Sequence, residues 1–230
     1  MNAIQGNSVN LKYLVEKYRL LSPLERIVQF YRDFRQEDVL VTSSFGTSSA
    51  ILLHQIAQVN PTQNIHYIDT TYLFKETHDY KDQLSKLLNL NTITITPEQW
   101  KNDFTSKDKT YLNDPDLCCS VNKVEPLNEV KKDFKVWVSG LMAFQTPFRK
   151  NLDVFEKSGN IIKFYPLIDV QPYFARGYFT KYNLPKHPLL EKGYASVGCT
   201  HCTEKGENRS GRWMNVSEKT ECGLHYRKPD

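Results

Sequence analysis

Five cysteines carry most of the chemistry this chain could do. They are the adjacent Cys118-Cys119, the pair in Cys199-Thr200-His201-Cys202, and Cys222 alone in Lys219-Thr220-Glu221-Cys222-Gly223-Leu224-His225. A Cys-x-x-Cys turn brings two sulfurs to one centre, as in zinc and iron–sulfur sites. Adjacent cysteines can do so at a helix start or a tight turn, whereas in a strand they face opposite ways. The preceding Asn113-Asp114-Pro115-Asp116 favours such a turn. Cys118, Cys119, Cys199 and Cys202 therefore form a four-thiolate set for a metal or a cluster, with a bare structural zinc site as the plainer alternative. Cys222 is left over, and an odd cysteine is a candidate reactive thiol. Lys219, His225 and Arg227 are basic neighbours that would favour its thiolate form. In a tail near an anion site it could be a nucleophile that closes over substrate. Taken alone, such a cysteine is more often incidental than catalytic.

The second chemical feature is the turn Thr42-Ser43-Ser44-Phe45-Gly46-Thr47-Ser48-Ser49. Glycine admits close backbone approach, hydroxyls add donors, and a helix N-terminus offers free N–H groups to an anion. It contains neither a Walker Gly-Lys-Ser/Thr nor a spaced glycine triplet. By itself it reads as a plain N-cap turn. Between a first strand and its helix it becomes a candidate anion or nucleotide site.

The elements around these residues alternate. Short β-type runs at Val39–Thr42, Ile65–Ile68, Thr92–Ile95 and Val136–Ser139 are separated by helical patterns over Ser48–Val59, Leu73–Leu90 and Val124–Lys132. Two further helices are predicted at 9–21 and 24–35, with Ser22 and Pro23 as the start signal of the second, and one near Gln171–Tyr182. This alternation implies an α/β fold with a mostly parallel sheet and flanking helices. The turns Ser43–Ser49, Asp69–Tyr72 and Gly140–Arg149 should line one crevice at the C-terminal ends of the strands. The expected organisation is N-terminal helices over 1–35, a nucleotide-binding core over 36–185 and an irregular tail over 186–230 that folds back over the crevice, all in one structural domain.

The chain has 230 residues, 40% hydrophobic and 24% charged, which suits a globular protein. It has no apolar run long enough for a membrane span, and Met1–Gly6 lacks the pattern of a secretory signal. A cytoplasmic protein is therefore expected, whose thiols act as ligands and a nucleophile rather than as disulfides. The net charge of +4 is mild. Basic residues gather toward the end, at Lys205, Arg209, Arg212, Lys219, Arg227 and Lys228, as an anionic small molecule would require and a solvated surface would also show. The six histidines show no metal spacing.

Together these segments resemble the assimilatory adenylylsulfate/phosphoadenylylsulfate reductases, over about residues 36–226. The resemblance lies in Ser44-Phe45-Gly46, in Tyr67-Ile68-Asp69-Thr70 followed by Leu73-Phe74-x-Glu76-Thr77, and in Asp116-x-Cys118-Cys119-x-x-x-Lys123-x-x-Pro126-Leu127. It continues through Lys192-Gly193-Tyr194, Gly198-Cys199-x-x-Cys202-Thr203, Arg209-x-Gly211-Arg212-Trp213 and Glu221–His225. It implies a Rossmann-like fold of the adenine nucleotide alpha hydrolase type. The implied substrate is adenylylsulfate, with its phosphosulfate toward the Ser43–Ser49 turn. The implied substrate-binding residues are Ser43, Ser44, Gly46, Thr47, Ser48, Asp69, Thr70, Lys123, Gly140, Arg149, Arg209 and Arg212. Cys222 would attack sulfur and expel AMP, and thioredoxin or glutaredoxin would release sulfite from the resulting S-sulfocysteine. The resemblance also implies a four-iron, four-sulfur cluster on Cys118, Cys119, Cys199 and Cys202, tuned through Lys123. No nucleic-acid or membrane partner is implied, and a homo-oligomer is compatible with it.

Each residue also has a plainer role open to it. Lys123, Arg209 and Arg212 could be solvated charges, Asp69 a helix cap, and Arg149 the partner of a structural carboxylate. The chain departs from the family pattern at Asn122, where a basic residue is usual, and at Met142-Ala143, where two arginines are usual. Thr71 and Lys75 replace a common glycine and proline. The changes at Asn122 and Met142-Ala143 remove positive charge near the expected anion site. The alternatives are the 3′-phosphorylated substrate or an ATP pyrophosphatase on the same scaffold. The latter would expect Ser-Gly-Gly-x-Asp-Ser where this chain has Ser-Phe-Gly-Thr-Ser-Ser.

Overall fold

A computed structural model describes residues 10–213 and 219–225. Val9 at the start of the first predicted helix, Met1–Gly6, Arg227 and Lys228 lie outside the described residues.

The chain opens with α1 (Leu11–Arg19) and α2 (Pro23–Asp33). At the start of α2 the Ser22 N–H donates to Glu25 Oε2 at 2.8 Å, so the predicted start signal is used. Next come β1 (Val39–Ser43), α3 (Ser49–Val59), β2 (Asn64–Ile68), α4 (Lys75–Leu88) and β3 (Asn91–Ile95). Three helices absent from the sequence expectations follow: α5 (Gln99–Lys107), α6 (Thr110–Asn113) and α7 (Pro115–Cys119). A π turn (Ser120–Val124) joins α7 to α8 (Glu125–Lys131). The chain then forms β4 (Val136–Val138), β5 (Phe155–Ser158), β6 (Ile161–Phe164) and α9 (Pro172–Lys181).

The six strands form one sheet in the order β3-β2-β1-β4-β6-β5. Every pairing is parallel except β5 with β6. Val39, Leu40 and Val41 are all buried, as expected of a central parallel strand covered on both faces. Because β1 lies between β2 and β4, connections leave it in both directions, and a crevice opens at the C-terminal ends of β1 and β4. The β5–β6 hairpin was not expected. It turns at Gly159-Asn160, with Gly159 at φ +59°. Gly-Asn between two β-prone runs is a hairpin signal that was available in the sequence.

The N-terminal helices share the main core. Phe30 stacks on Phe164 at 4.5 Å between centroids, and Tyr18 meets Phe155 edge-on at 4.9 Å. The buried Arg26 grips Asp169 with both guanidinium nitrogens at 2.6 Å, fixing α2 to the segment after β6. Among the described residues no helix is long and apolar enough to cross a membrane.

Candidate active site

The turn after β1 sits where the strand order reverses. Phe45 holds a left-handed backbone at φ +47° and is fully buried, its ring edge-on to Tyr67 at 5.4 Å. Strain of this kind persists where packing over-determines it. It bends the chain so that Ser43, Ser44, Gly46, Thr47 and Ser48 face one cavity of about 340 Å³. No side chain caps the N-terminus of α3; the Ser49 and Ile51 N–H groups donate to the Gly46 and Ser48 carbonyls, and the positive end of the helix faces the cavity. Ser48 Oγ instead accepts from Gln145 Nε2 at 3.3 Å.

The tail forms the opposite wall. Thr47 Oγ1 donates to the Ala195 carbonyl at 2.8 Å, which ties the loop to the segment before Cys199. Arg212 donates to the carbonyls of Val197 at 3.1 Å and Cys202 at 3.3 Å, and lies 4.4 Å from the Trp213 ring centroid. Gly198 leaves room for that guanidinium, since a Cβ would stand 2.6 Å from Arg212 Cζ and displace it. Glu221, only 1% exposed, anchors the end of the tail. Its Oε1 accepts from Thr146 Oγ1 at 2.9 Å and Arg149 Nε at 2.6 Å, and its Oε2 accepts from Arg149 Nη2 at 2.8 Å. Arg209 Nη2 stands 3.7 Å from the same carboxylate and donates to the Thr220 carbonyl at 3.0 Å. This clamp presents Cys222 to the cavity beside Lys123, Arg209 and the Ser43–Ser48 turn. Four cations, Lys123, Arg149, Arg209 and Arg212, line the cavity against one carboxylate, Glu221, so the site favours an anion. Among the described residues four buried polar atoms of lining residues have no protein partner: Ser139 Oγ, Arg209 Nε, Trp213 Nε1 and His225 Nδ1. Buried polar atoms are normally satisfied, so these point to a bound ligand or water.

His225 does not flank Cys222 as a free tail residue would. It stacks on Trp137 at 4.6 Å, and burial pushes its pKa well below the ordinary histidine value, helped by Arg149 and Lys163. Lys219 pairs with Asp116 at the start of α7 rather than reaching the thiol.

Cys118 and Cys119 end α7 just before the π turn, and Cys199 precedes and Cys202 ends a short 3₁₀ turn (Thr200–Cys202). The bridge between Leu73 and Cys199 brings the second pair to the first. Cys118 and Cys199 pack with Tyr72 in one small cluster. Burial, reinforced by Cys119, Cys199 and Cys202, pushes the Cys118 thiol up to about 12. Burial and Cys199 push Cys202 up to about 11. Burial alone would raise Cys199 too, but Lys123 and a 3.3 Å contact from Thr70 Oγ1 outweigh it and hold that thiol below its ordinary value. Burial would lower the Lys123 pKa; facing Cys199, Cys119 and Cys222 raises it instead. The lysine therefore stands between the four-cysteine set and the cavity thiol. Among the described residues no group of three or more His, Cys, Asp or Glu converges as a single metal ion requires.

Eleven of the residues expected at the site line the cavity: Ser43, Ser44, Gly46, Thr47, Ser48, Lys123, Gly140, Arg149, Arg209, Arg212 and Cys222. Asp69 and Thr70 do not, although Ile68 and Leu73 on either side of that turn do. The Asp69 carboxylate accepts from the Thr71 N–H at 2.8 Å, and Thr71 adopts φ +65°. This tight turn carries Thr70 away to Cys199. Arg149 does pair with a carboxylate, yet it remains in the cavity wall. Sequence reasoning missed Thr146, Gln145 and the clamp role of Glu221. Only the adjacency of Glu221 to Cys222 hinted at the last.

A parallel sheet with a hydroxyl-rich anion turn at its switch point, roofed by a cationic tail bearing a free thiol, defines an adenine-nucleotide type of α/β protein equipped for thiol chemistry. The chain belongs to the phosphoadenosine phosphosulfate reductase domain family, whose profile matches residues 38–205. It is 38% identical over 216 residues to the adenosine 5'-phosphosulfate reductase of Mesorhizobium japonicum, covering 90% of this chain and 84% of that protein. Its fold is similar to that of the phosphoadenylyl-sulfate reductase of Candida auris, with TM-score 0.73 and 24% identity over 87% of this chain and 99% of that one. Yeast FAD synthetase shares the fold at TM-score 0.57 and 13% identity, over 89% of this chain and 71% of that one.

Proposed function

We propose that this protein reduces adenylylsulfate to sulfite and AMP, with Cys222 as nucleophile. The observation that carries the reading is that Cys222 shares one cavity with the Ser43–Ser48 turn, Lys123 and Arg209. Substrate phosphate lies against the Ser43–Ser48 turn and the positive end of α3. Lys123, Arg209 and Arg212 neutralise oxygens on which charge develops as the bridging S–O bond breaks. The Cys222 thiolate attacks sulfur, an S–S bond forms, and AMP leaves with the bond's electron pair. A dithiol donor of the thioredoxin or glutaredoxin class then attacks Cys222 Sγ. Sulfite leaves, the enzyme–donor disulfide is resolved by the donor's second thiol, and the donor supplies both electrons.

The four remaining cysteines fit a four-iron, four-sulfur cluster. They are four thiols from two segments, Cys199 Sγ lies 3.3 Å from Thr70 Oγ1, Cys118 Sγ accepts from Asn122 Nδ2, and a buried lysine faces the set. When bound by Cys118, Cys119, Cys199 and Cys202, the cluster would supply fixed charge beside Lys123 rather than electrons to substrate.

The test is sulfite release by anaerobically prepared protein with thioredoxin, comparing adenylylsulfate with its 3′-phosphorylated form at equal concentration. Preference for adenylylsulfate, with label from ³⁵S-adenylylsulfate appearing on Cys222 and discharged by thioredoxin, is the expected result. No sulfite from either substrate in protein carrying its cluster would overturn the reading.

A further inference from the structure

The π turn after the adjacent cysteines carries a buried polar network that no step above uses. Asn122 is 1% exposed. Its Nδ2 lies 2.9 Å from the Cys118 carbonyl, 3.0 Å from Thr105 Oγ1 and 3.6 Å from Cys118 Sγ. Its Oδ1 accepts from Asn102 Nδ2 at 2.7 Å. Asn102, also buried, donates to the Thr70 carbonyl at 3.2 Å and accepts from Thr71 Oγ1 at 3.0 Å. Tyr72 closes the ring, its hydroxyl 3.0 Å from both Thr105 Oγ1 and the Asn102 carbonyl.

The direction of this network follows from its ends. The carbonyls of Thr70 and Cys118 can only accept. Asn102 must therefore aim its NH₂ at Thr70, which also feeds Asn122 Oδ1. Asn122 is then left with its own NH₂ toward Cys118. One N–H serves Thr105, and the other is shared between the carbonyl and the sulfur of Cys118. The widened π turn lets this side chain reach back four residues to the cysteine it serves. The same network holds Thr70, whose hydroxyl contacts Cys199 Sγ. One relay thus touches a sulfur from each half of the cysteine set.

We propose that Asn122 is a positioning residue for the cluster. Its amide fixes Cys118 and draws electron density from that sulfur, acting as a neutral dipole at a position where the family resemblance leads one to expect a cation. This rests on the cluster reading above. Hydrogen bonds to cluster sulfurs set how readily the cluster gives up electrons and how stiff its iron–sulfur bonds are.

Two variants separate donor chemistry from packing. Asn122→Asp keeps the shape and removes both N–H donors. Asn102→Leu combined with Asn122→Leu removes the paired amides together, so neither is stranded. In anaerobically loaded protein, both should shift the Fe–S(Cys) stretching bands to higher frequency by resonance Raman. Both should also bleach about tenfold faster under ferricyanide. Unchanged bands and bleaching in either folded variant carrying four irons would overturn the role of Asn122 and leave the cluster reading standing. A wild-type protein that takes up one zinc and no iron would overturn the cluster reading, and this inference with it.

Discussion

Replacing Glu221 with glutamine should release the tail while leaving the sheet intact. Both carboxylate oxygens are used, by Thr146, Arg149 Nε and Arg149 Nη2, in a site where the two side chains are 1% and 9% exposed. Glutamine keeps one oxygen but turns an NH₂ toward the guanidinium. One charge-assisted bond of about 1.5–3 kcal/mol is lost. Arg149 also loses its buried counter-ion, and breaking such a pair costs about 3–5 kcal/mol in all. Arg209, 3.7 Å from the carboxylate and already bonded to Thr220, cannot take over the fork. Taking the lower figure, about 3 kcal/mol is about a hundredfold in the population of the docked tail at about 1.4 kcal/mol per factor of ten. Cys222 is the next residue, so kcat/KM for sulfite release should fall by about that factor, while far-UV circular dichroism stays as in wild type. Label transfer to Cys222 in a single turnover should slow in parallel. Turnover close to that of wild type in E221Q would refute the claim that this clamp positions the thiol.

Cys222→Ser should abolish sulfite release and label transfer while leaving unfolding free energy within about 0.5 kcal/mol of wild type, as for other changes outside the core; label retained on the serine variant would place the nucleophile elsewhere. Gly198→Ala pushes a methyl into the Arg212 guanidinium and breaks its bonds to Val197 and Cys202, so KM for adenylylsulfate should rise about tenfold, the cost of one such bond. An unchanged KM would remove Arg212 from the substrate site. His187 is fully buried, accepts from the Leu189 N–H through Nδ1 and contacts Thr77 through Nε2; burial pushes its pKa down from 6.5 to about 4. The unfolded chain therefore binds more protons between these values, so stability should fall as pH drops from about 6.5 to about 4, by up to about 3 kcal/mol, and level off below. Urea unfolding of wild type and His187→Gln across that window checks this, and an equal slope in both would refute it.

The parallel core was legible because β1, β2 and β4 are buried on both faces and so read as short apolar runs between amphipathic helices. The stretch from Gln99 to Asn113 was not, because Trp100, Phe104 and Leu112 stay largely exposed and no apolar stripe marks the helices there. The thiol set and the serine turn were legible as local spacing. The Arg149–Glu221 clamp joins residues 72 positions apart, and no local pattern encodes such a pairing. The fate of Thr70 depended on a left-handed backbone at Thr71, a residue type that does not announce that conformation.

Every strand of the sheet precedes residue 165, whereas Cys199, Cys202, the arginines of the roof and Cys222 all follow it. Chains are made from the N-terminus, and their early parts can begin folding before the late parts exist. The nucleotide scaffold is therefore complete in order of synthesis before any sulfur of the second pair has been made, and the reactive thiol comes last. A chain stopped after residue 165 has every strand but lacks Cys199, Cys202, Arg209, Arg212 and Cys222. The cationic roof of the cavity and its thiol are thus the last parts to be made, added to a chain whose strands are already complete.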